Sequence, residues 1–443
     1  MGHRDRNPSL KCLAPDPSGN FHSASSVDAF TLLSGSSIKA NATVAWDIVP
    51  RGHRSVVMAN ATAARKARLT VLFAHPSAEL YGSDRVLLES VSSLTDAGHR
   101  VVVTLPVHGP LETHIAERGG VSVVCPTPVL RKSALQLRGF VTLLVSTISG
   151  ILRGWRLIGR LRPDLIYVNT VTVPLWVVLA RLAGVPVLAH VHEGEASASA
   201  FVKRSLALPL LLADRVIANS RFSVGVLKSS FLRLAATEVI YNGVLGPQVA
   251  SPARENLDGD LRVTYLGRIS PRKGVDVALE AVAILNSRGI PATLDLVGAV
   301  FAGYEWYEED LKTLAALRGL TERVNFSGFR EQVWQSIEEA DVMVVPSRID
   351  EPFGNTAVEA ILGGRPVIAS ATSGLLEATA GYQGATTVTP GDPVELADAL
   401  EAVRDGWQGV RDRADHDLQL ANRRHAPSVY RERIASVVWE MTR

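Results

Sequence analysis

From Arg68 onward the chain alternates between short apolar runs and longer stretches with helical spacing. The runs "RLTVLFAHP", "HRVVVTLP", "VSVVCP", "DLIYVNT", "PVLAHVHE", "DRVIANS" and "EVIYNG" read as strands. They are apolar nearly throughout rather than at every second position. That is the mark of strands covered on both faces, as in a parallel sheet with helices above and below. Between the first two lies "SDRVLLESVSSLTDAG", whose spacing predicts a helix ending at Gly98. The segment Val244 to Asp260, "VLGPQVASPARENLDGD", breaks the rhythm with Gly, Pro and charge and reads as a linker.

A second series follows. Strands are predicted at "LRVTYLGR", "ATLDLVGA", "VNFSGF", "DVMVVPS", "PVIAS" and "ATTVTP", with helices at "VDVALEAVAILNSRG", "EEDLKTLAALRG", "QVWQSIEEA", "GNTAVEAILGG" and "PVELADALEAVRDG". The pattern predicts an α/β protein with two doubly wound, Rossmann-like domains, at 67–247 and 261–425, joined by the linker 248–260. The tail 426–443 carries Val429, Ile434, Val437 and Val438 at loose helical spacing and is expected to pack back on the first domain. Residues 1–66 are rich in Ser, Ala, Asn and Gly without a sustained period and read as a poorly ordered extension. Met58 stands as a natural start just before the first strand.

Composition narrows the class. The 443 residues are 47% apolar, enough for large cores, and the net charge of +2 argues against a general nucleic-acid binder. Cys12 and Cys125 form no CxxC, so neither a disulfide framework nor a cysteine zinc site is expected. The N-terminus lacks the apolar core of a signal peptide. The longest apolar run, Phe140 to Leu152, is about a third shorter than the ~20 residues of a spanning helix. A cytoplasmic protein is expected, peripheral to the inner membrane face if it touches lipid at all.

Two stretches carry candidate chemistry. In "YLGRISPRKGVD" a strand ends at Gly267, and Arg268 and Lys273 follow before a helix. Forked Arg donors, a Lys point charge and free N–H groups at a helix start suit a diphosphate. A basic loop in solvent fits the same residues, and without GKT or GKS it is no Walker A loop. In "IDEPFGNTAVEAILGGRPVIAS" Glu351 and Glu359 lie eight positions apart. The backbone N–H groups of Phe353, Gly354, Asn355 and Thr356 stand at the mouth of a helix, placed for phosphate or sugar hydroxyls. The alternative is an exposed Glu351 and a solvated helical Glu359.

The order "GR-x4-KG", "VVPS…EPFGNTAVEA", "GRPVIAS" resembles the donor half of retaining glycosyltransferases of family 4, which have the GT-B fold. The likeness runs over about 67–443 and is most specific from Leu261 to Gly391. It implies transfer of a hexosyl group from a UDP- or GDP-sugar to the hydroxyl of a glycan or lipid-linked acceptor, by attack on the face that the diphosphate leaves. It further implies that Arg268 and Lys273 neutralise the diphosphate, that Glu351 touches the sugar and Glu359 the ribose. "GFREQVWQSIEEADV" would lie near the base. Gly82 falls where the family has paired glycines near the donor phosphate, but the first of the pair is here Tyr81. His192 matches the family's N-domain histidine near the donor sugar.

No cofactor or metal is expected. His190 and His192 form an HxH pair without an evident third ligand. The acidic triplets at Asp258 and Asp415 follow no strand and read as surface. Finally, Arg131, Lys132, Arg138, Arg153, Arg156, Arg160 and Arg162 lie in a run with no acid, interleaved with apolar residues and Trp155. The run suits an anionic membrane surface and equally a helix with a solvated basic face. A sugar-nucleotide epimerase, a phosphorylase and a non-enzymatic sugar-binding protein remain as other uses of the same cleft.

Overall fold

The computed structural model describes residues 68–130, 137–194, 196–301 and 303–443. The expectation for the N-terminal 66 residues therefore lies outside the described residues, as do Arg131, Lys132 and the side chain of Arg138. The first seven strands are β1 (Thr70–Ala74), β2 (Arg100–Leu105), β3 (Val121–Val124), β4 (Leu165–Val168), β5 (Val187–Val191), β6 (Arg215–Ala218) and β7 (Glu238–Val239). They form one sheet in the order β3-β2-β1-β4-β5-β6-β7, with parallel pairing throughout. The next six are β8 (Leu261–Leu266), β9 (Ala292–Val297), β10 (Val324–Gly328), β11 (Val342–Val345), β12 (Val367–Ser370) and β13 (Ala385–Val388). These form a second parallel sheet, in the order β10-β9-β8-β11-β12-β13.

Both sheets are doubly wound, and each reverses direction beside its first strand: between β1 and β4, and between β8 and β11. Helices on either side of such a switch point lie on opposite faces, which opens a crevice at the carboxyl edge. The register brings strand ends level there. Ala74 pairs with Val168 and Val191 with Ala218, so His75, Asn169, His192 and Asn219 emerge along one edge.

The last helix, Pro427–Met441, packs against helix Gly82–Asp96 and completes the first domain's core with Tyr430, Ile434, Val437 and Val438. Ser90 Oγ and Tyr430 OH lie 2.6 Å apart, and Arg431 holds Glu89 at 2.7 Å. Val429, grouped with this apolar face in the sequence, is 46% exposed, and Tyr430 points inward in its place. A second departure concerns the triplet at Asp415. It lies on helix Trp407–Arg424, and Asp417 is not at the surface but buried, accepting the Gly384 N–H at 2.6 Å. The helix has few large apolar residues, so its buried side is hidden in a polar-looking run.

The domains are also stitched directly. Glu377, on helix Ser373–Thr379 of the second domain, accepts the Arg221 and Phe222 N–H groups at 2.9 and 3.2 Å, and Tyr241 OH at 2.7 Å. It thus caps helix Arg221–Ser230 of the first domain from outside that domain. Ser220 Oγ donates to Pro352 O at 2.5 Å beside it.

Candidate active site

The second domain supplies cations and a helix mouth. Arg268 follows β8, and its guanidinium lies between two rings. Its Cζ is 3.4 Å from the centre of Phe301 and 4.5 Å from that of Tyr81, which comes from the first domain. Burial pulls its pKa down, and Tyr81 opposes that. Lys273 closes the short turn Pro271–Lys273, and its Nζ lies 2.7 Å from Glu351 Oε1. The next residue must be glycine. Gly274 has φ +65, and a Cβ there would stand 2.0 Å from Pro346 O, so the basic turn lies directly on the chain leaving β11.

That chain carries the carboxylate pair. Glu351 is 7% exposed and also receives Ser347 Oγ at 2.8 Å. Burial, the largest single influence, pushes its carboxyl up, but Lys273, Arg272 and the Ser347 hydroxyl together hold it below the usual range. Gly354, at φ +118, turns the chain into helix Asn355–Leu362, whose first N–H groups have no partner within the helix. Glu359 lies in that helix, half-buried. Burial raises its pKa, with partial relief from Arg85 of the first domain. The two acids therefore sit in opposite environments, one ion-paired and one desolvated.

The first domain supplies a row of buried polar groups. His192 Nε2 lies 3.0 Å from Asn169 Oδ1, and Asn169 Nδ2 lies 3.1 Å from His75 Nδ1. His75 Nε2 meets Asp84 Oδ1 at 2.7 Å, and Asp84 Oδ2 accepts the Tyr81 N–H at 2.8 Å. All four side chains are at least nine-tenths buried. Burial pulls the His192 pKa down to about 3, so the ring is neutral. Glu193 accepts the Thr170 hydroxyl and the His192 N–H, the latter at 3.1 Å. Gly82 opens the helix after Tyr81, and a Cβ there would come within 3.3 Å of Asn355 Nδ2. The turn therefore approaches the opposite domain closely.

These parts face one cavity of about 360 Å³, lined by Gly82, His192, Arg268, Lys273, Glu351 and the stretch from Phe353 to Thr356. A smaller hollow of about 110 Å³ shares Tyr81, Gly82, Arg268 and Asn355 with it and continues to Glu359, Phe329 and Arg330. The segment expected near a base thus lines the same crevice as the expected ribose acid. Among the described residues no group of three His, Cys, Asp or Glu side chains is placed to hold a metal ion. In the HxH pair, His190 Nδ1 is taken by Tyr167 OH at 2.7 Å. Sequence reasoning passed over His75, Asp84, Asn169 and Glu377. A polar residue directly after an apolar run was the available signal for His75 and Asn169.

Residues 81–244 match the model of Glycosyltransferase Family 4, and residues 250–415 that of Glycosyl transferases group 1. The D-inositol 3-phosphate glycosyltransferase of Nocardia farcinica is 31% identical over 366 residues, covering 78% of this chain and 76% of that one. The chain belongs to the group 1 glycosyltransferases, with the GT-B fold. The protein of the same name from Mycolicibacterium vanbaalenii is 35% identical over 206 residues, 43% of this chain. The α-D-kanosaminyltransferase of Streptomyces kanamyceticus is 30% identical over 190 residues, 42% of this chain. The chain spans about half the length of these two relatives, 46% and 48%. Among solved structures, Anabaena HepE in complex with UDP and glucose shares the fold. Its TM-score is 0.73 at 24% identity, over 84% of this chain and 99% of that one.

Proposed function

We propose that this chain transfers a hexosyl group from a UDP- or GDP-sugar to an acceptor hydroxyl, with retention at the anomeric carbon. The observation that carries the proposal is the convergence of two cations, a helix N-terminus and a neutral histidine on one interdomain cavity. The complex of HepE with UDP-glucose adds support for a nucleotide-sugar donor. The bond from the anomeric carbon to the diphosphate breaks, and negative charge develops on the leaving oxygen. Arg268, Lys273 and the N–H groups at Asn355 and Thr356 are placed to stabilise that charge. The acceptor oxygen bonds to the same face of the carbon, and its proton passes to the departing diphosphate. These groups can carry the charge without a divalent ion, so transfer should survive EDTA.

The acceptor in this proposal is a glycan or a lipid-linked sugar at an anionic membrane. The support is the outer side of helix Leu137–Leu161. Ile148, Ile151, Leu152 and Trp155 follow one another at helical spacing and are 40–56% exposed. Exposed Arg153, Arg156 and Arg160 flank them. A solvated helix face has no use for an apolar stripe, whereas a lipid interface takes both stripe and cations. No helix among the described residues is long and apolar enough to cross a membrane.

The test is a thermal-shift panel of UDP-, GDP- and ADP-sugars, followed by product analysis with and without acceptor. A ligand at 100 times its Kd adds ~2.7 kcal/mol of stability. Stabilisation by UDP- or GDP-sugars and an acceptor-dependent glycoside would support the proposal. Sugar-nucleotide isomerisation without acceptor would replace it with an epimerase. Sugar binding without any turnover would replace it with a binding protein.

A further inference from the structure

The buried chain Asp84–His75–Asn169–His192 has a direction, and that direction has a consequence at the cavity. Asp84 is the one member whose hydrogen-bonding sense is set by its chemistry, because an ionised carboxylate only accepts. It takes the Tyr81 N–H on one oxygen and faces His75 Nε2 with the other. Asn169 presents its amide nitrogen, which can only donate, to His75 Nδ1, so that ring nitrogen is the acceptor and His75 carries its proton on Nε2, towards Asp84. The same orientation turns the Asn169 carbonyl oxygen towards His192. A carbonyl can only accept, so His192 Nε2 carries the proton. His192 Nδ1 is left with a bare lone pair, and it has no partner in the protein. His192 lines the cavity beside Glu193 and Arg268.

We propose that Asp84, His75 and Asn169 are positioning residues that fix His192 in the Nε2–H tautomer, so that Nδ1 accepts a hydrogen bond from a hydroxyl of the transferred sugar. The inference rests on the glycosyl-transfer reading for the identity of that ligand, but not for the tautomer itself. Its physical motive is the cost of leaving a buried imidazole nitrogen unpaired. Burial keeps His192 neutral, so it cannot meet the cavity with a second N–H instead. The chain also runs through the capping carboxylate of the helix that opens at Gly82. The same side chain thus holds the backbone turn near the donor and, three links away, the ring that faces it.

The test reads ring nitrogen shifts in ¹⁵N-histidine-labelled, ligand-free full-length enzyme, with the His192 signals identified by loss in His192→Phe. The expected spectrum shows a protonated Nε2 and a bare Nδ1. In Asp84→Asn the side-chain amide can donate or accept, so the chain loses its sense and His192 should populate both tautomers. Protonation at Nδ1 in the wild type, or an unchanged single tautomer in Asp84→Asn, would overturn the proposal. This readout needs no donor, so its failure is separable from failure of the transfer reading. A kinetic pair guards against a misfolded Asp84→Asn. Asn169→Asp keeps an acceptor for His192 Nε2, while Asn169→Leu removes it. Asn169→Leu should lower kcat about tenfold with donor KM within about twofold, and Asn169→Asp should recover most of that loss. Equal kcat in the two variants would mean that the chain only supports the fold.

Discussion

Lys273 and Glu351 were expected to act on different parts of a donor, yet in the structure they neutralise each other at 2.7 Å. The perturbation that exposes this is Lys273→Met, which keeps the apolar stem and removes the charge. It leaves Glu351, with its side chain only 9% exposed, with Ser347 as its remaining direct partner. Removing one member of a buried pair costs ~3–5 kcal/mol. The Lys273 side chain is 26% exposed, so solvent already screens part of the attraction, and ~1–3 kcal/mol is expected. Glu351→Gln should cost less, because the more exposed ammonium can be hydrated. The double variant Lys273→Met/Glu351→Gln should regain most of the stability but not the turnover, because the diphosphate still lacks its point charge. Urea unfolding and steady-state kinetics on all four proteins close the cycle. The sign with pH is fixed too. Glu351 has a depressed folded pKa, so its stabilisation is complete above the unfolded carboxylate value and is lost as pH falls through the folded one. The penalty of Lys273→Met should therefore shrink towards zero as Glu351 protonates. A Lys273→Met protein as stable as wild type at pH 7 would refute the burial argument, and restored turnover in the double variant would refute the diphosphate role.

The two acids should also divide labour. Glu351→Gln should lower kcat with little change in nucleotide affinity, and Glu359→Gln should chiefly weaken binding of free nucleoside diphosphate by calorimetry; equal losses of affinity would contradict this. Changing Arg153, Arg156 and Arg160 to Gln should weaken binding to anionic vesicles by roughly a hundredfold, at ~1 kcal/mol per charge. Equal sedimentation of variant and wild type would favour a merely solvated face. Glu377→Ala should cost ~1–2 kcal/mol, as the loss of a helix cap does, and speed hydrogen exchange at the Arg221 and Phe222 amides. Unchanged exchange there would show that Glu377 does not hold the domains together.

How far the sequence alone reaches depends on how local the cause is. The strands of both sheets were legible, because runs such as "TVLFA" and "VMVV" are apolar on both faces and need no distant partner to be recognised. The candidate residues of the second domain were legible for the same reason. Arg268, Lys273, Glu351 and the glycine-led helix mouth are local to β8 and β11 and their loops. Helix Ser373–Thr379 was not read, since seven residues scarcely establish a period, and Glu377 within it acts on the other domain. His75 and Asn169, the partners that lead to His192, failed differently. Each residue sits unremarkably after an apolar run, and only the strand order β1-β4-β5 makes them neighbours. Strand order follows from crossover connections, and no residue pattern within a strand states it.

Tyr81 shows where the two kinds of information meet. At the sequence level it is a departure from the family's paired glycines, with an altered loop as its expected effect. In the structure its backbone still serves the turn, donating its N–H to Asp84, so the glycine was not needed for the cap. The side chain does something new. It reaches the opposite domain, covers one face of the Arg268 guanidinium and meets Phe301 and Phe329 edge-on at 5.7 and 6.1 Å. A cation between two rings is stabilised by about 1–2 kcal/mol when partly desolvated. A phosphate group that drew Arg268 off the rings would have to offset that stabilisation. The substitution therefore ties the pose of the Arg268 guanidinium to the distance between the domains, a coupling that neither domain could express alone.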